Sequence, residues 1–329
     1  MNIILGKTAG FCYGVNRAVN GLKEECNTCK VDCLGEIVHN ESVCNKFINE
    51  GVTFIKNVNE AKNKVVIRAH GVTKETYDYL EENNIPYRDL TCTNVLRVHE
   101  LVKNCSEDYY IFLLGDKNHP EVIGTNSFAK QSTIISRVEE VQEAIINFKK
   151  SKKKKLLIIS QTTFNSKLFD QIVEIIKKVI KEDILIKKTI CNATELRQQE
   201  TRELSKKVDL MIIVGSKTSS NTTKLYDIAK ENCETQITLD GKDLVIDNPD
   251  ITVGIMAGAS TPKESIDEVI NKLNSYKKEL VGKTLIGEYH YDGGSTYDSR
   301  KTFKVIIKEN NRCDINVFVQ NKTSKKEEE

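Results

Sequence analysis

Five runs of strand length, at residues 65–67, 110–114, 156–159, 210–214 and 252–256, are apolar almost without interruption. A strand with one wet face alternates apolar and polar residues. These do not, so each is expected to be covered on both faces. Segments of helical period separate them. Leu168, Ile172, Val173, Ile176, Val179 and Ile180 fall on one face of a 3.6-residue repeat. A further helix is expected from Thr261-Pro262-Lys263-Glu264, which reads as N-cap, first-turn proline and capping-box glutamate. Ile266, Val269, Ile270 and Leu273 supply its apolar stripe. Strands of this kind alternating with helices define an α/β fold with parallel-rich sheets. At 329 residues the chain is long enough for several such units.

Composition excludes whole classes of function. With 49 basic and 47 acidic residues the formal net charge is +2, which gives no electrostatic case for nucleic acid. No stretch approaches the roughly 18 apolar residues that cross a membrane, and the apolar run after Met1 is short for an export signal. A cytoplasmic location is therefore expected, with a plastid-type organelle as the alternative. In a reducing compartment the ten cysteines point to packing, metal or catalysis rather than disulfides. The lysine-rich stretch 149–155 reads as a solvated loop ahead of a strand. Residues 302–307 and 315–319 are expected as two strands after the last helix, followed by a frayed polar tail.

Three cysteines share one setting. Gly10-Phe11-Cys12-Tyr13-Gly14-Val15, Asp89-Leu90-Thr91-Cys92-Thr93-Asn94 and Thr189-Ile190-Cys191-Asn192-Ala193-Thr194 each put a cysteine just before a helix. Arg17, Arg97 and Arg197 follow five or six positions on. The cysteines are 80 and 99 residues apart, about one small α/β unit each. The expected units are residues 1–92 with Cys12, 93–190 entered from Cys92, and 191–280 entered from Cys191. Residues 281–329 then hold the terminal strands and tail. The N–H groups and dipole at a helix start favour a thiolate, the form that ligates metal. One thiolate per unit converging on a pseudo-threefold axis suits an iron–sulfur cluster with one iron left open.

The closely spaced set Cys26, Cys29 and Cys33, with Cys44 beyond, lacks the second paired set of a common zinc site, and Cys33 lies in a strand-like run. Cys105 continues an apolar helix stripe, and Cys233 and Cys313 read as packing. His99, on the same helix beside Val98, is expected at the surface, and His290 in a turn.

The apolar strands run into loops that suit an anion. These are His70-Gly71, Gly115 to Glu121, Gln161-Thr162-Thr163, Gly215 to Asn221 and Gly258 to Pro262. Ligands of parallel α/β sheets bind at the carboxyl ends of strands, and hydroxyls with helix-start N–H groups make a neutral cradle for phosphate. Thr261 is expected chiefly to cap its helix. His39, His70 and His119 gather at the same rim, with Glu121 as a proton source. No P-loop or dinucleotide fingerprint is present: Gly6-Lys7-Thr8 and Gly282-Lys283-Thr284 both lack the required upstream glycine.

With these motifs assembled, residues 10–262 resemble the 4-hydroxy-3-methylbut-2-enyl diphosphate reductases of the methylerythritol phosphate route to isoprenoids. The resemblance implies three α/β units around a 4Fe–4S cluster held by Cys12, Cys92 and Cys191. It implies that His39, His70, His119, Thr162, Ser219, Ser220, Asn221 and Ser260 hold the diphosphate, and that Glu121 relays protons. The reaction implied is reductive removal of the substrate hydroxyl, giving isopentenyl and dimethylallyl diphosphates. Electrons would come from an external donor such as a ferredoxin or flavodoxin. One departure is at 89–93, which lacks the alanine and proline common around this cysteine. From another class, a non-catalytic iron–sulfur sensing protein is the alternative; an electron carrier favours four protein ligands, which three cysteines do not supply.

Overall fold

The computed structural model describes residues 1–38, 40–248, 250–280, 284–292, 298–307 and 313–322. His39 and the tail from residue 323 lie outside the described residues. The chain begins with β1 (Asn2–Leu5) and α1 (Tyr13–Cys26), then runs through β2 (Val31–Leu34), α2 (Glu41–Asn49), β3 (Thr53–Ile55), β4 (Lys64–Ile67), α3 (Lys74–Glu82) and β5 (Tyr87–Asp89). A second set follows: α4 (Thr93–Cys105), β6 (Tyr109–Leu114), α5 (Pro120–Ser127), β7 (Ser132–Ile135), α6 (Val141–Lys150), β8 (Lys155–Ser160), α7 (Ser166–Val179) and β9 (Asp183–Ile186). The third comprises α8 (Asn192–Leu204), β10 (Leu210–Val214), α9 (Ser220–Ala229), β11 (Glu234–Thr238), β12 (Thr252–Ala257) and α10 (Lys263–Leu280).

Three four-stranded sheets result, and every pairing in them is parallel. Each is covered on both faces, as the uninterrupted apolar runs require. In the second sheet Phe112, Leu114, Leu156 and Ile158 pack against α6 and α7 on one side, while Ile111, Leu113, Leu157 and Ile159 pack against α4 and α5 on the other. The first and third sheets are likewise divided between two clusters each. The strong stripe of α7 is buried through Phe169, Ile172, Val173 and Ile176.

The strand orders reveal how the repeat closes. They are β3-β2-β4-β5, β7-β6-β8-β9 and, read the same way, β11-β10-β12-β1. The amino-terminal strand thus takes the fourth place in the third sheet, where Asn2 pairs with Thr252 and Leu5 with Ile255. The expected boundary of the first unit at residue 1 is corrected accordingly: residues 2–5 belong with residues 210–257. The reason is circular. Each fourth strand (β5, β9, β1) leads to a cysteine and then a helix, so the first cysteine needs a strand before it from the unit that comes last.

Three further expectations change. The terminal region has three antiparallel strands rather than two, β13 (Thr284–Asp292), β14 (Asp298–Ile307) and β15 (Cys313–Lys322), and His290 lies within β13 opposite Arg300 rather than in a turn. Thr261 does not cap α10, which starts at Lys263; its hydroxyl donates to the Val214 carbonyl at 2.9 Å, tying the loop after β12 to the end of β10. No helix among the described residues is long and apolar enough to cross a membrane.

His99 is not at the surface. It is 5% exposed, stacked 4.8 Å from Phe128, with neither ring nitrogen hydrogen-bonded. Gly71 gives the ring its room, since a side-chain carbon there would stand 2.9 Å from it, and Gly124 packs beside it. Burial pushes its pKa down to about 4, against the pull of Asp89. Between about 6.5 and 4 the unfolded chain therefore binds a proton that the folded chain refuses, so stability falls as pH falls through that window. This group alone should cost about 2 kcal/mol on going from neutral pH to about pH 5. Urea midpoints at the two pH values should differ less for His99→Phe than for the unaltered chain; equal differences would refute the assignment.

Candidate active site

Cys12, Cys92 and Cys191 are the N-cap residues of α1, α4 and α8. Cys12 and Cys191 have extended backbone there, Cys92 a related non-helical one, and none makes a side-chain capping bond. Sulfur is a weak acceptor, so where serine or aspartate would turn back onto the helix the thiol is left to point elsewhere. The same main-chain bond positions each one. Cys92 N–H donates to Ala69 O at 2.9 Å, Cys191 N–H to Thr162 O at 3.0 Å and Cys12 N–H to Ala259 O at 3.3 Å. The acceptors follow β4, β8 and β12, the strand that stands third in the spatial order of each sheet. This is the pseudo-threefold expressed in hydrogen bonds.

Two of the matched arginines hold the segment just ahead of a candidate ligand cysteine. Arg17 donates to Thr91 O at 2.9 Å, ahead of Cys92, and Arg197 to Thr8 O and Gly10 O at 2.8 Å, ahead of Cys12. Arg97 is exposed. The atypical segment before Cys92 is held by Asp89, whose carboxylate accepts from Thr91 N–H at 2.8 Å and from Tyr77 Oη at 3.0 Å. An Asx turn thus does locally what a proline would do.

All three thiols line one cavity, together with His70, His119, Glu121, Thr162, Ser219, Ser220, Asn221 and Ser260. The sequence reading is therefore gathered in one place, His39 excepted. The cavity is about 120 Å³, on a measure where one water needs roughly 10–15 Å³. Among the described residues no three His, Cys, Asp or Glu side chains converge tightly enough to ligate a single ion. Cys92 Sγ packs on the first turn of α1, where a side-chain carbon on Gly14 would stand 2.5 Å from it.

The expected thiolate character meets an opposing effect. Burial raises the Cys92 and Cys191 thiols, and repulsion from Cys12 adds to it. Helix-start N–H groups of Asn94, Val95 and Thr194 pull the other way, as does the Thr194 hydroxyl, 3.0 Å from Cys191 Sγ. Desolvation outweighs the helix ends until a cation shares the pocket.

Glu121 is 3% exposed, in the first turn of α5. Burial raises its pKa, and the Thr162 donors and the Lys224 charge oppose that rise. Thr162 grips both oxygens: its N–H donates to Oε1 at 2.6 Å and its hydroxyl to Oε2 at 2.9 Å. Both donors of Thr162, expected on the diphosphate, are thus spent on Glu121. His119 caps α5 by accepting Glu121 N–H at Nδ1, 3.1 Å away. That bond assigns the ring proton to Nε2. His70 meets His119 edge to face, the centroids 5.2 Å apart.

Ser219 caps α9 by accepting from Thr222 N–H and receives the Ser260 hydroxyl at 3.3 Å. Asn221, 3% exposed, has no partner for either its carbonyl oxygen or its amide nitrogen. A buried amide with both ends unmatched marks a place where a ligand belongs. Reasoning from neutral donors passed over two cations. Arg197, 3% exposed, lines the cavity with Nη1 unpartnered. Lys224 lies just behind the wall, its Nζ 2.9 Å from Ser220 Oγ. The i to i+4 spacing from Ser220 was the available signal.

The apparent metal motif comes apart. Cys33 is buried in β2 and donates to Gly35 O, Cys44 is buried against Val38 O, and Cys29 is exposed at the end of α1. Cys105 and Cys233 pack at the edges of core clusters.

Fold and cavity define a three-unit α/β protein whose central pocket is thiol-lined on one side and donor-lined on the other. The chain belongs to the LytB protein family, whose model matches residues 3–274. A 4-hydroxy-3-methylbut-2-enyl diphosphate reductase of Caldanaerobacter subterraneus subsp. tengcongensis is 38% identical over 291 residues, 85% of this chain and 99% of that one. The solved structure of the E-1-hydroxy-2-methyl-but-2-enyl-4-diphosphate reductase from Plasmodium falciparum is 30% identical, with a TM-score of 0.75 over 82% of this chain and 87% of that one. A structure of (E)-4-hydroxy-3-methyl-but-2-enyl diphosphate reductase, described as the terminal enzyme of the non-mevalonate pathway, is 37% identical with a TM-score of 0.62, covering 84% and 100%.

Proposed function

We propose that this chain reduces (E)-4-hydroxy-3-methylbut-2-enyl diphosphate to isopentenyl and dimethylallyl diphosphates, using a 4Fe–4S cluster bound by Cys12, Cys92 and Cys191. The observation that carries it is the convergence of three non-capping N-cap thiols, one from each unit, on the cavity that holds Glu121. The residues fit such a group: three half-buried thiols, the soft donors that iron–sulfur clusters take, line one cavity. When bound, a cluster with one iron free of protein ligands supplies Lewis acidity and electrons.

The balance is simple. The substrate takes up two electrons and two protons, its C–O bond breaks, and water leaves. An external one-electron carrier, such as a ferredoxin or flavodoxin, supplies the electrons. The chain's own residues do the rest. Hydroxide is a poor leaving group, and Glu121, kept protonated to higher pH by burial, is the buried acid that can convert it to water. His119 Nε2–H, Ser219, Ser220 and Asn221 are donors for the diphosphate, Ser260 orients the Ser219 hydroxyl by donating to it, and Arg197 adds a positive charge. Walls such as Val15, Val95 and Ala193 hold the allylic carbons out of water.

The test is an anaerobic assay of iron-loaded protein with dithionite as reductant and the diphosphate as substrate, products being read by mass spectrometry. Both isoprenoid diphosphates are expected. Iron-loaded protein that binds the substrate and returns it unchanged would overturn the reading.

A further inference from the structure

Lys224 has no part in the chemistry above, yet it occupies a costly position. It stands one turn into α9, with Nζ 2.9 Å from Ser220 Oγ and 5.5 Å from the centroid of the Phe164 ring. The carboxylates that face it are Glu121 from α5, Asp116 from the loop after β6, and Asp227 on α9 itself. Burial weakens its hold on its proton, and these carboxylates restore part of it. An ammonium donates three protons and accepts none. Ser220 Oγ is therefore the acceptor, and its own hydroxyl proton must point away from Lys224. Thr163 Oγ1 lies 3.5 Å from Ser220 Oγ, at the limit of a hydrogen bond, so the better direction is into the cavity that both residues line. Beside it is Asn221, buried with both ends of its amide unmatched.

We propose that Lys224 is a positioning residue for the diphosphate: from behind the cavity wall it turns the Ser220 hydroxyl into a donor facing the ligand, and lends that wall the positive charge its neutral side chains lack. A hydroxyl that accepts from a cation is a stronger donor to an anion, so the chain from Lys224 through Ser220 to a phosphate oxygen is cooperative. The proposal takes from the reductase reading only the identity of the anion.

The experiment uses the iron-loaded chain and inorganic diphosphate as the binding probe, followed by steady-state kinetics with the full substrate. Iron content and circular dichroism establish that each variant is folded. Lys224→Met should weaken diphosphate binding by roughly tenfold or more, and Lys224→Arg should recover most of it. KM should rise with the loss of binding while kcat moves little. The basic limb of the pH profile should shift to higher pH, because Glu121 loses a neighbouring cation while the Thr162 donors remain. Ser220→Ala combined with Lys224→Met should cost far less than the two single losses together, since one chain of bonds is broken either way. Lys224→Gln, uncharged but able to donate to Ser220, is the second variant should Met not load iron, and it too should bind weakly.

Binding within about twofold of the unaltered chain, an Arg variant as weak as Met, or strictly additive losses would each overturn the proposal. The two readings fail separately. A chain that binds diphosphate in a Lys224-dependent way but converts no substrate overturns the reaction alone. One that converts substrate and binds diphosphate without regard to Lys224 overturns only this inference.

Discussion

Cys92→Ser should lose both its bound iron and its turnover while keeping its fold. The loss of turnover should exceed the roughly 100-fold that altering an outer-shell partner of a metal can cost, because a ligand itself is removed. The physical reason lies at the start of α4. Cysteine at this N-cap makes no capping bond, so its sulfur faces the cavity. Serine at the same position is a strong N-cap former, and its oxygen will turn to the N–H groups near Asn94 and Val95 that now favour the Cys92 thiolate. That turn takes the side chain away from the cavity and gives the helix about 1 kcal/mol. The iron-free variant should thus melt at or slightly above the temperature of the iron-free unaltered chain, which separates loss of the ligand from loss of the fold. Iron and sulfide analysis of anaerobically purified protein, with calorimetry, reads both effects. A Cys92→Ser chain with full iron content would remove Cys92 from the proposed ligand set, and a sharply lowered melting point would show that the residue is structural.

Glu121→Gln should slow turnover by roughly 10²–10⁴-fold, the range for a positioned acid or base, with iron content and KM nearly unchanged. The amide is isosteric and can still accept the Thr162 N–H at Oε1; only the transferable proton is gone. The pH profile carries the sharper reading. Burial holds the Glu121 pKa above the ordinary carboxyl value, so the protonated form required of a donor persists to higher pH, and turnover should fall as pH rises through that raised value. Thr162→Val should move the limb further up, because two stabilisers of the carboxylate become one. In Glu121→Gln the limb should vanish. A variant that retains both the rate and the limb would exclude Glu121 as the proton source.

Much of this was legible in the chain. Runs such as Leu210 to Val214 showed sheets covered on both faces because burial on both faces leaves no reason for polar alternation. Cys12, Cys92 and Cys191 were separable from Cys26, Cys29 and Cys33 because each precedes a helix after a strand, whereas the closer set straddles a helix end and a buried strand. His99 was misjudged because periodicity assigns a face but not what covers it, and here Phe128, Gly71 and Gly124 come from elements remote in sequence. Thr261 lies one residue short of the capping position because α10 starts only at Lys263, and its hydroxyl donates to Val214 O on another segment instead.

The sequence alone determined the kinds of element, the chemistry of the loops and which cysteines stand at helix starts, since all three follow from local spacing and side-chain type. Only the tertiary structure decided that β1 closes the third sheet, that Thr162 serves Glu121, and that Arg197 and Lys224 bring charge to a wall of neutral donors. Each depends on contacts between segments far apart in the chain. Side-chain type states what a group can donate or accept, and folding determines which partner is within three ångströms.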